Sequence, residues 1–565
     1  MKILPSFLRI QSSLRIQSPE SAVLYLSMFA MGACGIAYEY TLSKVAADLL
    51  GNSTRQWAII IGVMMFFMGL GADLQKYFSD RHLFDKFIVI EVLLGILGGF
   101  GPIILLNVFG KWYSHYALVQ YVFICSIGLL IGFEIPLLAR INESYMHELK
   151  VNIGGILKMD YIGALFGALA WILILPKFFT LIEMGFVLGI FNIGVAALTL
   201  FYFRRLVGQK LWIGILTALS LVMLLTGLNQ GRNWTRYAEQ YLYRDRIIFS
   251  HTTDYQHIVL TKSPANDLSC YINGHLQFNS FDEHIYHENL VHPALSIAPQ
   301  RERILVLGGG DGLAVREILK YPEVTSVTVC DLDPQMTGLA QTQPDLVQLN
   351  RGSLLDSRVM VLRNHALVPA GQETLYVENQ QKPYSGETGA VAVVQVINMD
   401  AAKFIEQISG VYDVIIIDFP DPNSIELAKL YSRKFYTDLR RKLSADGILV
   451  QQATSPVHAK EAFLCIGRTM QAAGLAVVPY HDNVPSFGEW GWWIGGRADR
   501  YSASHIRERL NRIDHLPADR KYLTPSVIRS TLIFGQNQLK SDFQDINTIV
   551  TNRVYDYYVQ GWQRF

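Results

Sequence analysis

Two carboxylates follow a stretch that reads as a buried strand. The sequence IIIDFPDPNS, residues 415–424, runs from three isoleucines into Asp418, and Asp421 follows after Phe419 and Pro420. Neither aspartate has the context of an obvious helix cap. Two acids at the end of a buried strand concentrate negative charge, so this turn is expected to face a cationic ligand.

A glycine-rich turn supplies a second candidate site. Residues 301–321, RERILVLGGGDGLAVREILKY, read as a short apolar strand, a GGGDG loop and an amphipathic helix. Glycines let the backbone approach a ligand closely, and the helix N-terminus adds partial positive charge. The next strand, 324–333, ends in acids about 20 residues after the loop, where a carboxylate can hold ribose hydroxyls. This spacing predicts an adenosine-type ligand bound by a loop that contains Gly308, Gly309, Gly310 and Gly312.

The alternation of strands and helices continues to about residue 480 and predicts a doubly wound α/β sheet. Ligands of such sheets bind beyond the carboxyl ends of the strands. Four acids converging there would disfavour an anion and favour a cation. These acids are Asp311, Asp331, Asp400 and Asp418.

A small antiparallel sheet is predicted ahead of this domain. Asn273-Gly274 lies between two apolar runs and is typical of a type I′ hairpin. The stretch 281–295, FDEHIYHENLVHPAL, has helical spacing and four histidines nearby. A metal site is one reading of these histidines, but no HxxxH pair with a third ligand stands out. We therefore expect a polar pocket wall and no metal.

The first 228 residues contain long apolar runs, whereas 229–565 resemble a soluble protein. A membrane span needs about 20 apolar residues. Seven such segments predict a multi-pass domain that begins with a signal anchor, not a cleaved signal. The segments are roughly 22–47, 57–74, 87–109, 114–139, 159–180, 181–203 and 211–228.

Glu39 and Glu134 fall inside predicted spans. Carboxylates in a membrane are suspected functional groups by default. The alternative is that both are protonated and hydrogen-bonded between helices, or lie near the end of a span. The five cysteines are scattered without a CxxC pair, so they are expected to be reduced. The balance of 49 basic and 48 acidic residues gives no sign of a nucleic-acid-binding surface.

Motifs over roughly 250–495 resemble the spermidine synthases, or polyamine aminopropyltransferases, in the order of that family. The apolar half and the tail 546–562 resemble its multi-pass membrane branch. The resemblance implies a class I methyltransferase-type Rossmann-like fold. It also implies transfer of an aminopropyl group from decarboxylated S-adenosylmethionine to a diamine, usually putrescine, without metal or other cofactor. The motifs are TTDYQHI, YINGHLQ, DEHIYHENLVHPAL, LVLGGGDGLAVREILKY, VCDLD, YDVIIIDFPDP and PSFGEWGW.

The resemblance also implies roles for single residues. Asp418 would be the base that activates the amine, Tyr286 would orient it, and Asp421 would share the diamine site. Asp331 would hold the ribose and Asp311 the ammonium of the donor. The remaining substrate contacts implied are Gln256, His287, Asp400, Ala401 and Phe487.

Several of these residues also have a purely structural interpretation, which the sequence leaves open. Asp400 suits a helix N-cap, Asp421 a turn, and Asp331 a cap of the following segment. The glycines suit an ordinary tight turn, and Tyr286 and His287 suit simple packing.

Departures from the usual family pattern lie at the acceptor end. Phe419-Pro420 separates the two acids, where soluble members carry Ser or Thr first, and Phe487 replaces a tyrosine. An insertion at about 364–392 reads as a surface loop. These departures bear on the identity of the acceptor more than on the reaction.

The chain is therefore expected to have a multi-pass membrane half and a synthase half, located at the cell membrane in contact with the bilayer. Basic loops place the N-terminus inside, and seven spans would then put the synthase outside. Arg232, Arg236, Arg244 and Arg246 after the last span, and a cytosolic donor, favour a cytoplasmic catalytic domain. The predicted segments are a tail at 1–20, the membrane domain at 21–228, a hairpin subdomain at 229–300, a catalytic domain at 301–495 and a helical extension at 496–565.

Two alternative functions remain open from the sequence. A methyltransferase on the same sheet would use S-adenosylmethionine itself, and a polyamine sensor or transporter would carry a degenerate synthase domain. The family is often dimeric or tetrameric, so a homo-oligomer is a further expectation.

Overall fold

The computed structural model describes residues 18–50, 53–146, 148–355, 359–362 and 392–563. Except for its last residue, the predicted insertion at 364–392 lies outside the described residues, as does most of the tail at 1–20. The chain divides into two compact units, one ending at Arg244 and the other beginning at Asp245.

The first unit is helical, and seven of its helices are long and apolar enough to cross a membrane. The helices are α1 Pro19–Leu50, α2 Ser53–Leu74, α3 Leu83–Lys111, α4 Tyr116–Asn142, α5 Leu149–Leu173, α6 Leu181–Tyr202 and α7 Lys210–Glu239. Each overlaps one of the seven predicted segments, although α5 begins and ends well before the predicted 159–180.

Helix α7 extends beyond the apolar segment that predicted it. The predicted domain boundary at 228 falls inside this helix, because the polar residues after the apolar run are still compatible with helix. Near its end, Arg232 Nε donates to Glu183 Oε1 at 2.9 Å. Glu183 belongs to a capping box with Thr180 at the start of α6. The beginning of α6 and the last turns of α7 therefore lie at the same end of the helical unit.

The second unit opens with the predicted antiparallel sheet, in the order β1-β2-β3-β4. Asn273 and Gly274 both have positive φ, 50° and 81°, as a type I′ turn requires, which confirms the predicted hairpin. The strands are β1 Arg246–Thr252, β2 His257–Lys262, β3 Leu268–Ile272 and β4 His275–Asn279.

An eight-stranded sheet follows, in the order β11-β12-β10-β9-β5-β6-β8-β7. Strands β5 to β10 pair in parallel, whereas β12 is antiparallel to both β10 and β11. This is the predicted Rossmann-like arrangement. The strands are β5 Arg303–Gly308, β6 Ser326–Asp331, β7 Val359–Leu362, β8 Val393–Asn398, β9 Tyr412–Asp418, β10 Leu443–Gln452, β11 Leu475–Val484 and β12 Gly488–Arg497.

Helices cover this sheet, and three of them occupy the predicted C-terminal extension. The helices of the second unit are α8 Glu283–Ile297, α9 Leu313–Ile318, α10 Pro334–Thr342, α11 Pro344–Leu349, α12 Ala401–Gln407, α13 Ile425–Ala428, α14 Arg433–Lys442, α15 Lys460–Ala472, α16 Ala503–Asn511, α17 Pro525–Thr531 and α18 Arg553–Trp562.

The strand order reverses between β5 and β9. Strand β5 continues to β6 on one side and pairs with β9 on the other, which places Gly308 beside Asp418. Ile415, Ile416 and Ile417 are fully buried, as expected for a central parallel strand covered on both faces. A reversal of this kind opens a crevice at the carboxyl ends of the strands, and ligands of doubly wound folds bind there.

Candidate functional site

A hydrogen bond joins α8 to the end of β9. Tyr286 Oη donates to Asp418 Oδ1 at 2.6 Å. Tyr286 is buried, and its ring packs 5.7 Å from that of Trp492. Burial raises the pKa of the Asp418 carboxyl, whereas His287 and the bond from Tyr286 oppose that rise. The structure thus holds one carboxylate oxygen in place at the strand crossover.

The glycine loop lies against the acids at the ends of β5 and β6. Gly310 N–H donates to Asp331 Oδ2 at 3.0 Å, and Asp333 N–H donates to Oδ1 at 2.9 Å. A Cβ on Gly308, where φ is +82°, would lie 2.1 Å from the carbonyl oxygen of Asp418. Gly309 and Gly312 also have positive φ. Only glycine at position 308 allows the loop to approach β9 this closely.

Buried acids at this crevice hold their protons more strongly than exposed ones. Burial raises the pKa of Asp311 to about 6, and His287 opposes the rise. Burial likewise raises the pKa of Asp331 to about 6, against the two backbone N–H donors. Asp418 adds to the rise in the pKa of Asp311, and Asp311 adds to that of Asp331, so the three acids form one acidic site with Asp311 in the middle.

His287 is fixed by a buried ion-pair network. Its Nδ1 lies 2.9 Å from Glu283 Oε2, and Glu283 also accepts from Arg316 Nη1 and Nη2 at 2.8 Å each. Burial acts to lower the pKa of His287, but Glu283 outweighs it and raises the pKa to about 9. The imidazole is therefore a cation at neutral pH, and Asp311 and Asp418 are near enough to add to the rise in its pKa.

Asp421 is held by three neighbours. Thr454 Oγ1 donates to Oδ2 at 3.1 Å, Gln452 Nε2 donates to Oδ1 at 3.3 Å, and the hydroxyl of Tyr558 in α18 also donates to it. Burial nevertheless raises the pKa of Asp421 to about 6. These partners, together with the prolines of the turn, fix this carboxylate.

Phe419, between the two acids of the turn, is buried. Its side chain is buried in a core cluster and packs 5.9 Å from the ring of Phe435. The backbone of this turn is braced, since Gln452 donates to the carbonyl of Phe419 and Tyr431 to that of Pro420. The bearing of Phe419 on the choice of acceptor stays a prediction, since its buried ring would lie 3.4 Å from a Cβ added to Gly308 in the glycine loop.

Asp400 and Ala401, two of the predicted substrate contacts, lie at the start of α12. Asp400 is the N-cap of α12, with Oδ1 accepting from Lys403 N–H at 2.9 Å, and Ala401 begins that helix. The interpretation of Asp400 as a helix N-cap is therefore confirmed. Met399 N–H donates to the carbonyl of Asp331, so the turn before α12 lies next to the residue predicted to hold the ribose.

Two loops that carry predicted substrate contacts, Gln256 and Phe487, are anchored near the acidic site. Gln256 lies in a turn whose Thr253 Oγ1 donates to Asp333 Oδ2 at 2.8 Å, which ties it to the end of β6. Phe487 lies 6.1 Å from the ring of Tyr286. Its loop is anchored to the start of α8, where Asp282 accepts from Ser486 N–H at 2.5 Å.

A family model described as "Spermine/spermidine synthase domain" matches residues 283–365 and 388–501. The polyamine aminopropyltransferase of Leptospira interrogans is 34% identical over 541 residues, which cover 96% of this chain and 99% of that protein. Polyamine aminopropyltransferase 2 of Ralstonia nicotianae is 37% identical over 488 residues, which cover 85% of this chain and 88% of that protein. The chain belongs to the polyamine aminopropyltransferase family.

This aminopropyltransferase uses decarboxylated S-adenosylmethionine as its co-substrate. The crystal structure of spermidine synthase from Thermotoga maritima aligns at 19% identity and a TM-score of 0.39, covering 52% of this chain and 87% of that chain. Among the described residues, no group of three or more His, Cys, Asp or Glu side chains could hold a metal ion.

Sequence reasoning missed most of the residues that hold the aminopropyltransferase site together. Glu283 is not among the predicted site residues, although its position four residues before His287 signals a helical pair. Arg316 carries no local signal, because its partner lies 33 residues away in the chain. Thr454 and Tyr558 likewise reach Asp421 only through the fold.

Gly310 offers a test of the donor site. A Cβ at this position would lie 2.6 Å from Asp331 Oδ2, and its φ is not positive, so Gly310→Ala probes this steric clash alone. Losing a hydrogen bond to a charged group costs about 1.5–3 kcal/mol, so the KM for the donor is expected to rise roughly ten- to a hundredfold. Gly338→Ala is the control, since no atom lies within 4 Å of its added Cβ. Equal donor KM values in the two variants would contradict the role of Asp331.

The acidic site also predicts a pH dependence. Asp311, Asp331 and Asp421 each have a pKa raised to about 6, so they lose their negative charge as pH falls through 6. Both substrates are cations, and kcat/KM is expected to fall below pH 6 with more than one proton involved. Initial rates between pH 5 and 8 measure this, with circular dichroism as the control for folding. A profile that stays flat down to pH 5 would contradict it.

Proposed function

We propose that this enzyme transfers the aminopropyl group to a diamine, with putrescine as the first candidate, giving spermidine and 5′-methylthioadenosine. The proposal assigns Asp418 as the base and Tyr286 as the residue that orients it. The observation that carries it is the 2.6 Å bond between these residues at the strand crossover. A carboxylate with a raised pKa, held by one oxygen, leaves its other oxygen available to a substrate ammonium.

The chemical step is a displacement at carbon. The ammonium group of the diamine gives a proton to Asp418, and the lone pair of the resulting amine attacks the aminopropyl methylene carbon that is bonded to the sulfonium. The carbon–sulfur bond breaks with its electrons going to sulfur, which becomes the neutral thioether of methylthioadenosine. Asp418 then releases the proton to solvent. The remaining contribution of the enzyme is to position the two substrates in line.

Asp311 supports selectivity for the decarboxylated donor. Its carboxylate lies in the glycine loop, with Oδ1 accepting from Leu313 N–H at 2.9 Å. An acid in this position pairs with the ammonium of the donor and repels the carboxylate that ordinary S-adenosylmethionine carries beside it. Asp421, beyond the same turn, would hold the distal ammonium of the diamine.

The decisive experiment is a product assay with the full-length protein in detergent. Decarboxylated S-adenosylmethionine and putrescine should release methylthioadenosine and spermidine in equal amounts. Calorimetry with both donors tests the methyltransferase alternative, since tighter binding of S-adenosylmethionine itself would overturn the proposal. A sensor with a degenerate synthase domain would bind the substrates without forming products.

We further propose that the helical unit is inserted in the cell membrane and that the catalytic unit is cytoplasmic. Support comes from the seven long apolar helices and from the cytosolic origin of the substrates. Arg236, Arg244 and Arg246, near the end of the last long helix, favour the same side. Seven crossings would then put the N-terminus outside. A reporter fused after Arg244 should be active only in the cytoplasm, and activity outside would reject this orientation.

A further inference from the structure

A threonine beside the two-acid turn has a strained backbone. Thr454 follows strand β10 and has a φ of 60°. Among the described non-glycine residues with positive φ, it is the one that carries a β-branched side chain. A β-branched residue in the left-handed region is a genuine outlier and persists only where its surroundings hold it there. Because such strain clusters at binding and catalytic sites, the contacts of Thr454 indicate what the strain serves.

Hydrogen bonds on both sides hold this backbone in place. The N–H of Thr454 donates to Gln452 Oε1 at 3.0 Å, and its carbonyl accepts from the N–H of Gly491 in β12 at 2.9 Å. Ala453 N–H donates to the carbonyl of Gly491, also at 2.9 Å. Thr454 is fully buried. The strained conformation is therefore fixed where β10 ends beside β12, and it directs the side chain to one place.

That place is the carboxylate of Asp421, to which Thr454 Oγ1 donates at 3.1 Å. Gln452 Nε2 lies 3.3 Å from the other carboxylate oxygen, but it has two hydrogens for three acceptors. The other two acceptors are nearer, namely the carbonyl of Phe419 at 2.5 Å and Tyr431 Oη at 3.1 Å. Thr454 gives its single hydroxyl hydrogen to Asp421, so it is the more committed of these two donors.

The donors around Asp421 leave little of its carboxylate for a substrate. An ionised carboxylate has about four positions that accept a hydrogen bond. Thr454, Gln452 and Tyr558 fill three of them. About one position remains, which suits a single N–H of an ammonium group. Its direction depends on how the carboxylate is held, and thus on Thr454.

We infer that Thr454 positions Asp421 for the distal ammonium of the acceptor and thereby selects diamines over monoamines. This inference rests on the proposed function, in which Asp421 holds that ammonium, and extends it by naming the residue that fixes the carboxylate. Thr454 acts only through Asp421, so it is a positioning residue. An acceptor without a second ammonium makes no use of Asp421, and Thr454 should therefore matter for diamines alone.

The test compares putrescine with n-butylamine, which lacks the distal ammonium, by methylthioadenosine release from the full-length protein in detergent. Thr454→Val keeps the β-branched shape and removes the hydroxyl, so the KM for putrescine should rise roughly tenfold. Its kcat, its KM for the donor and its kcat/KM for butylamine should stay close to those of wild type. Thr454→Ser restores a hydroxyl and should recover most of the loss. Thr342→Val is the control, because this exposed threonine bonds only within its own helix.

Asp421→Asn separates this inference from the proposed function. If Asp421→Asn abolishes the preference for putrescine and Thr454→Val retains it, the role of Thr454 is overturned and the proposed function stands. Equal losses for the two amines in Thr454→Val would also overturn that role, since they indicate a general structural defect. A preference that survives Asp421→Asn would reject the assignment of Asp421, and the inference with it. The absence of methylthioadenosine from wild type with putrescine would reject the proposed function itself.

Discussion

Asp418→Asn is expected to lower kcat by roughly 10²–10⁴-fold, the usual contribution of a positioned general base. The amide keeps the shape of the side chain and still accepts from Tyr286, so the local structure should persist. An amide cannot take the proton of the substrate ammonium, and the attacking lone pair stays blocked. Rates of methylthioadenosine release with saturating donor and diamine measure the loss.

Two further variants sharpen this result. Tyr286→Phe removes the orienting bond but not the base, so a smaller loss of roughly ten- to a hundredfold is expected. Asp446→Asn changes an exposed acid and should have no effect. Unchanged turnover in Asp418→Asn would remove the base from the mechanism, and equal losses in Asp418→Asn and Tyr286→Phe would assign both residues to positioning.

Glu283→Ala is expected to be the most destabilising change at the site. Its carboxylate forms a bidentate pair with Arg316, and the two residues are 1% and 7% exposed. Removing one partner of a buried pair costs about 3–5 kcal/mol. A loss at the lower end of this range is expected, because Glu317 Oε1, 2.8 Å from Arg316 Nε, still compensates part of the remaining charge. His287 would also lose the partner that raises its pKa, so it should become neutral at lower pH.

Denaturant unfolding of the full-length protein in detergent measures this loss. Glu406→Ala is the matched control, since its pair with Lys434 is more than half exposed and should matter far less. The loss of stability in Glu283→Gln should lie between those of Glu283→Ala and Glu406→Ala, because glutamine keeps the shape of the side chain and can form hydrogen bonds but has no charge. Similar stability of Glu283→Ala and Glu406→Ala would show that the network does not hold α8 in place.

The sequence predicted the architecture because its signals are local and periodic. Apolar runs located the seven helices, Asn273-Gly274 located the hairpin, and the glycine loop located the start of the Rossmann-like domain. The predicted domain boundary was less accurate, since hydropathy indicates where the apolar residues end and not where the helix α7 ends. The burial of Phe419 was not predicted, because position in a turn does not tell which way a side chain points.

The sequence alone determined which residue types are available. Asp331 and Asp418 are the last residues of their strands, and Asp311 and Asp400 follow theirs within a few residues. Only the tertiary structure decided what those acids touch. Tyr286 reaches Asp418 across 132 residues, and Asn192 reaches Glu91 across 101. Contacts at such separations leave no periodic trace in the chain, because they depend on how helices and strands pack and not on their spacing. The physical reason is that local propensity determines which residues form helices and strands. Which side chains pair is decided only when the chain packs, because a buried polar group must find a hydrogen-bond partner.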